Sequence, residues 1–159
     1  MSNITGNISS PINIFFDSSA LIAGIVSSQG AARALLLLAE DKYIAITISK
    51  QVLVEVERNL ARKAPAALPF AREIILAANF KIVRDPTKIE ITPYLDWMEH
   101  KADVPILVAA MRIETDFLVT HNTKHFMDNS NLSTQSGLRI GSPGDALLWV
   151  RSAFENKTM

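Results

Sequence analysis

Three carboxylates stand out by type and position. Asp17 closes the apolar run Ile12-Asn13-Ile14-Phe15-Phe16, while Glu55 and Asp103 fall at or near the starts of helical stretches. If these stretches alternate with strands in an α/β sheet, all three acids share one edge. It is the edge where strands end and helices begin, and where ligands bind in open α/β sheets. Clustered acids are costly unless a cation joins them. Oxygen donors alone select a hard divalent ion, Mg²⁺ or Mn²⁺. Such an ion points to phosphate-ester chemistry.

Each acid also has a plainer reading. Asp103 precedes Val-Pro at a helix start, where the helix dipole favours a carboxylate by roughly 0.3–1 kcal/mol. Asp145 follows Ser142-Pro143-Gly144 and reads as the partner of a Ser142 cap. Asp17 resists the capping explanation, because Ser18 and Ser19 are available for that task. Glu55 and Glu57 lie on one turn of a helix, and helical periodicity does not choose between them. Asp116 starts the strand Asp116–Thr120, whose length of roughly 13 Å puts it at the opposite edge from Thr120 and Asn122. A structural role for Asp116 follows. His100, His121 and His125 lack the spacing of a helical metal pair. His121 and His125 flank Asn122, within reach of a substrate there, and a plain surface role stands beside that reading.

The elements that position these residues alternate. Residues 12–16 read as a strand buried on both faces, followed by a helix capped by Ser18 or Ser19 and running to about Ser28. A second helix follows Gly30. Its run Leu35-Leu36-Leu37-Leu38 is apolar on every side, which implies burial on more than one face or a subunit interface. Strands are expected at 43–47, 80–83, 117–120 and 138–140. Helices are expected from Ser49 to about Lys63, over 70–79, from Thr92-Pro93, from Asp103 to about Glu114, and from Ser142 onward. The pattern predicts an α/β fold: a three-layer α/β/α sandwich with a mainly parallel central sheet.

Composition bounds the alternatives. The chain has 159 residues, is 48% hydrophobic, carries no formal net charge and contains no cysteine. One domain over 12–155 is expected, behind a poorly ordered segment 1–11. Disulfides and thiolate metal sites are excluded. Net neutrality argues against a general nucleic-acid coat protein, although not against an enzyme that grips a few phosphates. No apolar run approaches the roughly 20 residues of a membrane span, and the polar start lacks the form of a signal peptide. A cytoplasmic protein is the expectation, with no membrane partner.

Four segments taken in order, FFDSSALIAG, SKQVLVEVERNL, DVPILVAAMRIETDFLVT and THNTKHF, resemble the PIN domains. These are metal-dependent ribonucleases that include the VapC-like toxins of toxin–antitoxin pairs. The likeness spans about residues 12–126, and the closing SPGDALLWV resembles one PIN subgroup. It implies that Asp17, Glu55 and Asp103 are the leading metal-site acids, which selects Glu55 over Glu57. Asp17 and Asp103 would bind Mg²⁺ or Mn²⁺ directly, with Glu55 acting through a water or as general base. Ser19 and Thr120 match small polar residues that orient the acids. Asn122 stands where many members carry a fourth acid, so it implies a weak or second metal position. Single-stranded or structured RNA is the implied substrate, and a small antitoxin the implied partner. Lys50, Arg58, Arg62, Lys101, Lys124 and His121 lie near these segments and are candidates to hold the RNA. The apolar second helix adds the expectation of a homodimer.

Other classes fit less well. A haloacid-dehalogenase-like phosphatase needs a second Asp two residues after the first, where this chain has Ser19. Rossmann and P-loop proteins need a glycine-rich first turn, which DSSAL does not provide. The remaining alternatives are a non-catalytic RNA-binding or protein-interaction module on a PIN fold, favoured only by Asn122, and a housekeeping RNA-processing nuclease.

Overall fold

The computed structural model describes residues 11–127 and 129–158. The expectation of a poorly ordered N-terminal segment therefore falls, Pro11 apart, outside the described residues. Five strands, β1 (Ile12–Phe16), β2 (Ile44–Ser49), β3 (Lys81–Val83), β4 (Phe117–Val119) and β5 (Ile140–Gly141), form one sheet in the order β3-β2-β1-β4-β5. Every neighbouring pair is parallel. The expected α/β fold with a parallel sheet is what forms.

This order has a physical consequence. From β1 the chain steps outward to β2 and β3, then returns across the sheet to β4 on the other side of β1. Right-handed crossovers put the outgoing and returning helices on opposite faces. The carboxyl ends of β1 and β4 thus flank the point where winding reverses, and a crevice opens there. Asp17 follows β1 and Thr120 follows β4.

Helices α1 (Ser18–Val26), α2 (Ala31–Glu40), α3 (Lys50–Lys63), α4 (Leu68–Ala77) and the closing α9 (Pro143–Thr158) pack together. The return from β3 carries α5 (Lys88–Ile91) and α6 (Val104–Arg112), and the link from β4 to β5 carries α7 (Thr123–Met127) and α8 (Leu132–Ser136). Ile14, Phe15 and Phe16 are all buried, as a strand covered on both faces requires. Gly24 allows α1 and α2 to approach closely. A Cβ there would stand 2.8 Å from Leu36 Cδ1 and 3.3 Å from the Ala32 backbone. Arg33 binds α1 to α2 from the far end, donating to the carbonyls of Gly24 (2.6 Å) and Ile25 (3.0 Å) near the α1 C-terminus.

Several expectations need correction. Thr92-Pro93 does not begin a helix; it forms a single 3₁₀ turn, Thr92–Tyr94, after α5. The start signal lies upstream, where Thr87 and Glu90 form a reciprocal capping box. Ser18 and Ser19 lie inside α1, and Asp17 is its N-cap, accepting from the Ala20 amide. As to the two readings of the second helix, its Leu run is buried on one side and leaves one leucine exposed. Leu35 and Leu36 are fully buried, whereas Leu37 is 49% exposed.

The amino edge of the sheet is made of three matching joints. Helices α2, α4 and α6 each turn back towards a strand through a residue in the left-handed region: Lys42 (φ 68°), Asn79 (φ 53°) and Glu114 (φ 52°). At each joint two amides return to the last turn of the helix. They are Lys42 and Tyr43 to Ala39 and Leu38, Asn79 and Phe80 to Leu76 and Ile75, and Glu114 and Thr115 to Met111 and Ala110. This double bonding is the Schellman arrangement, which here closes without glycine.

Candidate active site

Asp17 is the centre of the carboxyl edge. It is 3% exposed, and its own amide is bonded to the Val119 carbonyl (3.0 Å), which fixes it between β1 and β4. Its Oδ1 accepts from Ser19 Oγ (2.7 Å) and the Ala20 amide (2.9 Å), and its Oδ2 accepts from Thr120 Oγ1. The two hydroxyls are held in turn by the next residues of the chain. The His121 amide donates to Ser19 Oγ (3.0 Å) and the Asn122 amide to Thr120 Oγ1 (2.9 Å). Both hydroxyl protons thus point at Asp17, and the 3.4 Å between Ser19 Oγ and Thr120 Oγ1 is a packing contact. Ser19 and Thr120 thus hold the Asp17 carboxylate from both sides.

This carboxylate is electrostatically uncomfortable. Burial raises the Asp17 pKa, and the charge of Asp103 raises it further, against the bonds from Thr120, Ala20 and Ser19. Its three donors are all neutral, and among the described residues it has no ion-pair partner. A buried carboxylate so placed favours protonation or a cation.

Asp103 is the N-cap residue of α6, yet its side chain makes no capping bond. Its Oδ2 instead accepts from His125 Nδ1 (2.9 Å), and the ring of His125 stacks on that of His100. Neither histidine is marked by spacing. His125 is three residues beyond Asn122, which brings it over Asp103 by way of the short α7.

Glu55 is joined to this group through Gln51, a residue that sequence reasoning passed over. Gln51 Nε2 lies 3.3 Å from Glu55 Oε2 and 3.1 Å from the carbonyl of Ala102, the neighbour of Asp103. Glutamine at i−4 from Glu55 is a helical-face signal that could have been read. Asp85, just beyond β3, accepts from the Gln51 amide (2.8 Å) and fastens the start of α3. Glu57 turns away to Arg72 (3.6 Å).

The substrate candidates divide. Lys50, Arg58, Arg62, Lys124 and His121 are exposed, and none of the four cations is paired among the described residues. Arg58 and Arg62 follow Glu55 at i+3 and i+7, on the same face of α3. Lys101 is otherwise engaged. Its Nζ donates to the carbonyls of Met98 (2.9 Å) and Leu95, so it braces a loop and is not free to hold RNA. Asn122 is placed beside Thr120 by its backbone, and its side chain is exposed. Asp116 accepts from the Asn13 amide (2.8 Å) at the far edge of the sheet, as its strand position predicts.

Among the described residues, no three His, Asp or Glu side chains stand close enough to hold a metal ion between them. The donor set nonetheless fits one hard cation. Mg²⁺ is usually held by one or two carboxylates, with waters and substrate oxygens completing its shell. Asp17 and Asp103 are the two carboxylates that could supply such a pair.

A PIN-domain profile matches residues 13–124, more than half of the chain. The chain belongs to the PIN-domain family. No curated protein matches this PIN protein in sequence. Solved structures share its fold, among them these two. PAE2754 from Pyrobaculum aerophilum is 17% identical, with a TM-score of 0.62 over 89% of this chain and 90% of that one. VapBC2 from Rickettsia felis, solved bound to a DNA fragment from the promoter of the pair, is 19% identical, with a TM-score of 0.58 over 81% of this chain and 97% of that one.

Proposed function

We propose that this PIN-domain protein is a divalent-metal-dependent endoribonuclease that hydrolyses phosphodiester bonds in RNA, and that it is the toxin of a toxin–antitoxin pair. Family membership supports a nuclease. The observation that carries the reading is the buried Asp17 carboxylate, bonded only by neutral donors and facing the charge of Asp103. A carboxylate so placed beside a second one favours a cation in the site.

Asp17 and Asp103 would hold Mg²⁺ or Mn²⁺, which supplies an activated water and neutralises phosphate charge. Ser19, Thr120 and the Ala20 amide keep Asp17 in a single orientation, so little reorganisation is needed when substrate arrives. Glu55, fixed by Gln51, takes the proton of the attacking water or holds that water in place. Arg58 and Arg62 lead away from Glu55 along one face of α3, and with Lys50 and Lys124 they hold the RNA backbone. Asn122 leaves the fourth corner uncharged. The deciding experiment is cleavage of defined RNAs with Mg²⁺ or Mn²⁺ and with excess chelator. Unchanged activity in chelator overturns the mechanism.

The partners belong to the same proposal. Leu37 on α2 and Leu148 on α9 are exposed, and between the two helices lies a hollow of about 320 Å³ lined by Leu38, Leu147, Leu148, Val150, Arg151 and Phe154. We assign this face to self-association, which light scattering at high concentration tests; a strictly monomeric profile removes it. The VapBC2 likeness supports a small antitoxin as the second partner. The place of action would be the cytoplasm, where the RNA substrates are.

A further inference from the structure

We infer that His100 and His125 form a platform on which one nucleobase of the RNA stacks, which sets the register of the chain over the acids. The inference deepens the ribonuclease reading and rests on it. The two imidazoles lie nearly parallel, 17° apart, with centroids separated by 3.5 Å, so they stack face to face. The inner ring is fixed, because His125 Nδ1 donates to Asp103 Oδ2. The outer ring, His100, is exposed, and among the described residues His125 is the one ring stacked on it.

The loop that carries His100 is tied down. Lys101 donates to the carbonyls of Leu95 and Met98, Met98 is buried, and Asn129 Nδ2 donates to the Trp97 carbonyl (3.1 Å). A groove of about 580 Å³, lined by Asp96, Trp97, Met98, Glu99, Lys101 and Asn129, runs along the loop that carries His100. That lining sets the two carboxylates of Asp96 and Glu99 against the single cation of Lys101, a net negative charge. Such a wall repels a phosphate, yet it accepts the flat, neutral face of a base. Bases splayed out of single-stranded RNA are held in this way on aromatic side chains, histidine included. The stack stands on Asp103, so the base it takes is close to the phosphate held at Asp17 and Asp103.

Two arms test the inference. In the first, an oligoribonucleotide that the wild-type protein cleaves is remade with a single abasic site at each position in turn. One position near the cut is expected to lower kcat/KM about tenfold, the low end of what a base on an aromatic ring contributes. His100→Ala should show that loss on the intact RNA and be indifferent to the abasic site at that position, while His100→Phe restores both. In the second arm, 2-aminopurine at that position should be quenched on binding to the Asp17→Asn protein. The quenching should disappear when His100→Ala is added. Melting temperature and Mn²⁺ affinity should be unchanged in His100→Ala, which separates stacking from a merely structural role. If His100→Ala keeps the abasic penalty or the quenching, the platform is wrong although the nuclease stands. If the wild-type protein cleaves no RNA with Mn²⁺, both fall together. If Asp17→Asn binds no RNA, the cleavage arm decides alone.

Discussion

The pair β1–β4 ends in an aspartate at each edge of the sheet, and the two aspartates are treated in opposite ways. At the amino edge, Asp116 accepts the Asn13 amide at 2.8 Å while its own amide donates to the Asn13 carbonyl, so it serves the strand ladder. The three helices that return there close with the same double amide turn. At the carboxyl edge, Asp17 is buried, bonded by neutral groups and set against a second carboxylate. The amino edge pairs the backbone amides of its joints and the Asp116 carboxylate, with only the buried Thr115 hydroxyl left without a partner among the described residues. The carboxyl edge leaves negative charge in excess. The difference points to the carboxyl edge as the one that receives a ligand: a buried carboxylate with no charged partner is the kind of local conflict that functional sites retain.

The largest expected effect is on activity. Asp17→Ala and Asp103→Ala should each lower metal-dependent RNA cleavage at least about 100-fold, since even outer-shell partners of a metal cost 10–100-fold. Asp116→Asn should leave cleavage within a small factor of wild type. Cleavage rates at saturating Mn²⁺ check this, and a fully active Asp17→Ala breaks the contrast between the edges.

The next effect is on stability against pH. The folded-state pKa of Asp17 is raised above its ordinary value of 3.8, chiefly by burial. The folded state therefore holds the proton more tightly than the unfolded state. Its contribution to stability is fully present below that ordinary value and is lost as pH rises through the folded pKa. The metal-free protein should thus gain from Asp17 on mild acidification. Glu90 runs the other way. Hydrogen bonds from Arg84 and the Thr87 amide hold it at about 2, so its contribution is present above 4.5 and is lost as pH falls towards that value. Urea midpoints measured in chelator should rise from neutral pH into the mildly acidic range, and Asp17→Asn should flatten that rise. Saturating Mn²⁺ should reverse it, because a bound cation favours the ionised carboxylate. A profile that Mn²⁺ does not alter counts against a cation at Asp17.

Much of this contrast was legible in the chain, and the failures have a common cause. The parallel sheet, the far-edge position of Asp116 and the Ser142–Asp145 cap all follow from local patterns, and the structure shows the cap as reciprocal bonds of 3.0 and 3.1 Å. Capping itself was assigned to the wrong residues. Ser18 and Ser19 were expected to cap α1 and leave Asp17 free, while Asp103 had a capping role to offer. In the structure Asp17 caps, and Asp103 does not. Local propensity ranks serine and aspartate alike at an N-cap. The choice was made by β4, a hundred residues away, which brings Thr120 onto Asp17 and leaves Ser19 to serve it. The His125 contact with Asp103 is non-local in the same sense. The brace at Lys101 depends on a loop whose shape no periodicity encodes.

A smaller effect concerns the fourth corner. Asn122→Asp should raise Mn²⁺ affinity several-fold, because it adds a hard, charged donor beside Thr120. Asp116→Asn should leave affinity unchanged and cost about 1 kcal/mol of stability, the worth of one hydrogen bond to a charged acceptor less what the amide oxygen retains. Calorimetric titration of both variants tests the layout. Loss of binding in Asp116→Asn together with no change in Asn122→Asp places the site at the wrong end of β4.

The smallest effect sharpens the amino edge alone. Glu114 adopts φ 52° where α6 turns into β4, and its amide and that of Thr115 both return to the helix. The left-handed conformation costs a residue with a Cβ about 1–2 kcal/mol. Glycine is free of that cost but loses roughly 0.5–1 kcal/mol more backbone entropy on folding. Glu114→Gly should therefore stabilise the protein by under about 1 kcal/mol, read as a shift in urea midpoint at constant slope. The joint lies at the edge opposite Asp17, with β4 between them. Additivity holds for sites this far apart, so Mn²⁺ affinity and cleavage should not move. A change in metal affinity from this substitution means that the two edges are coupled through β4, and that the amino end of the strand helps to set the geometry of the charged one.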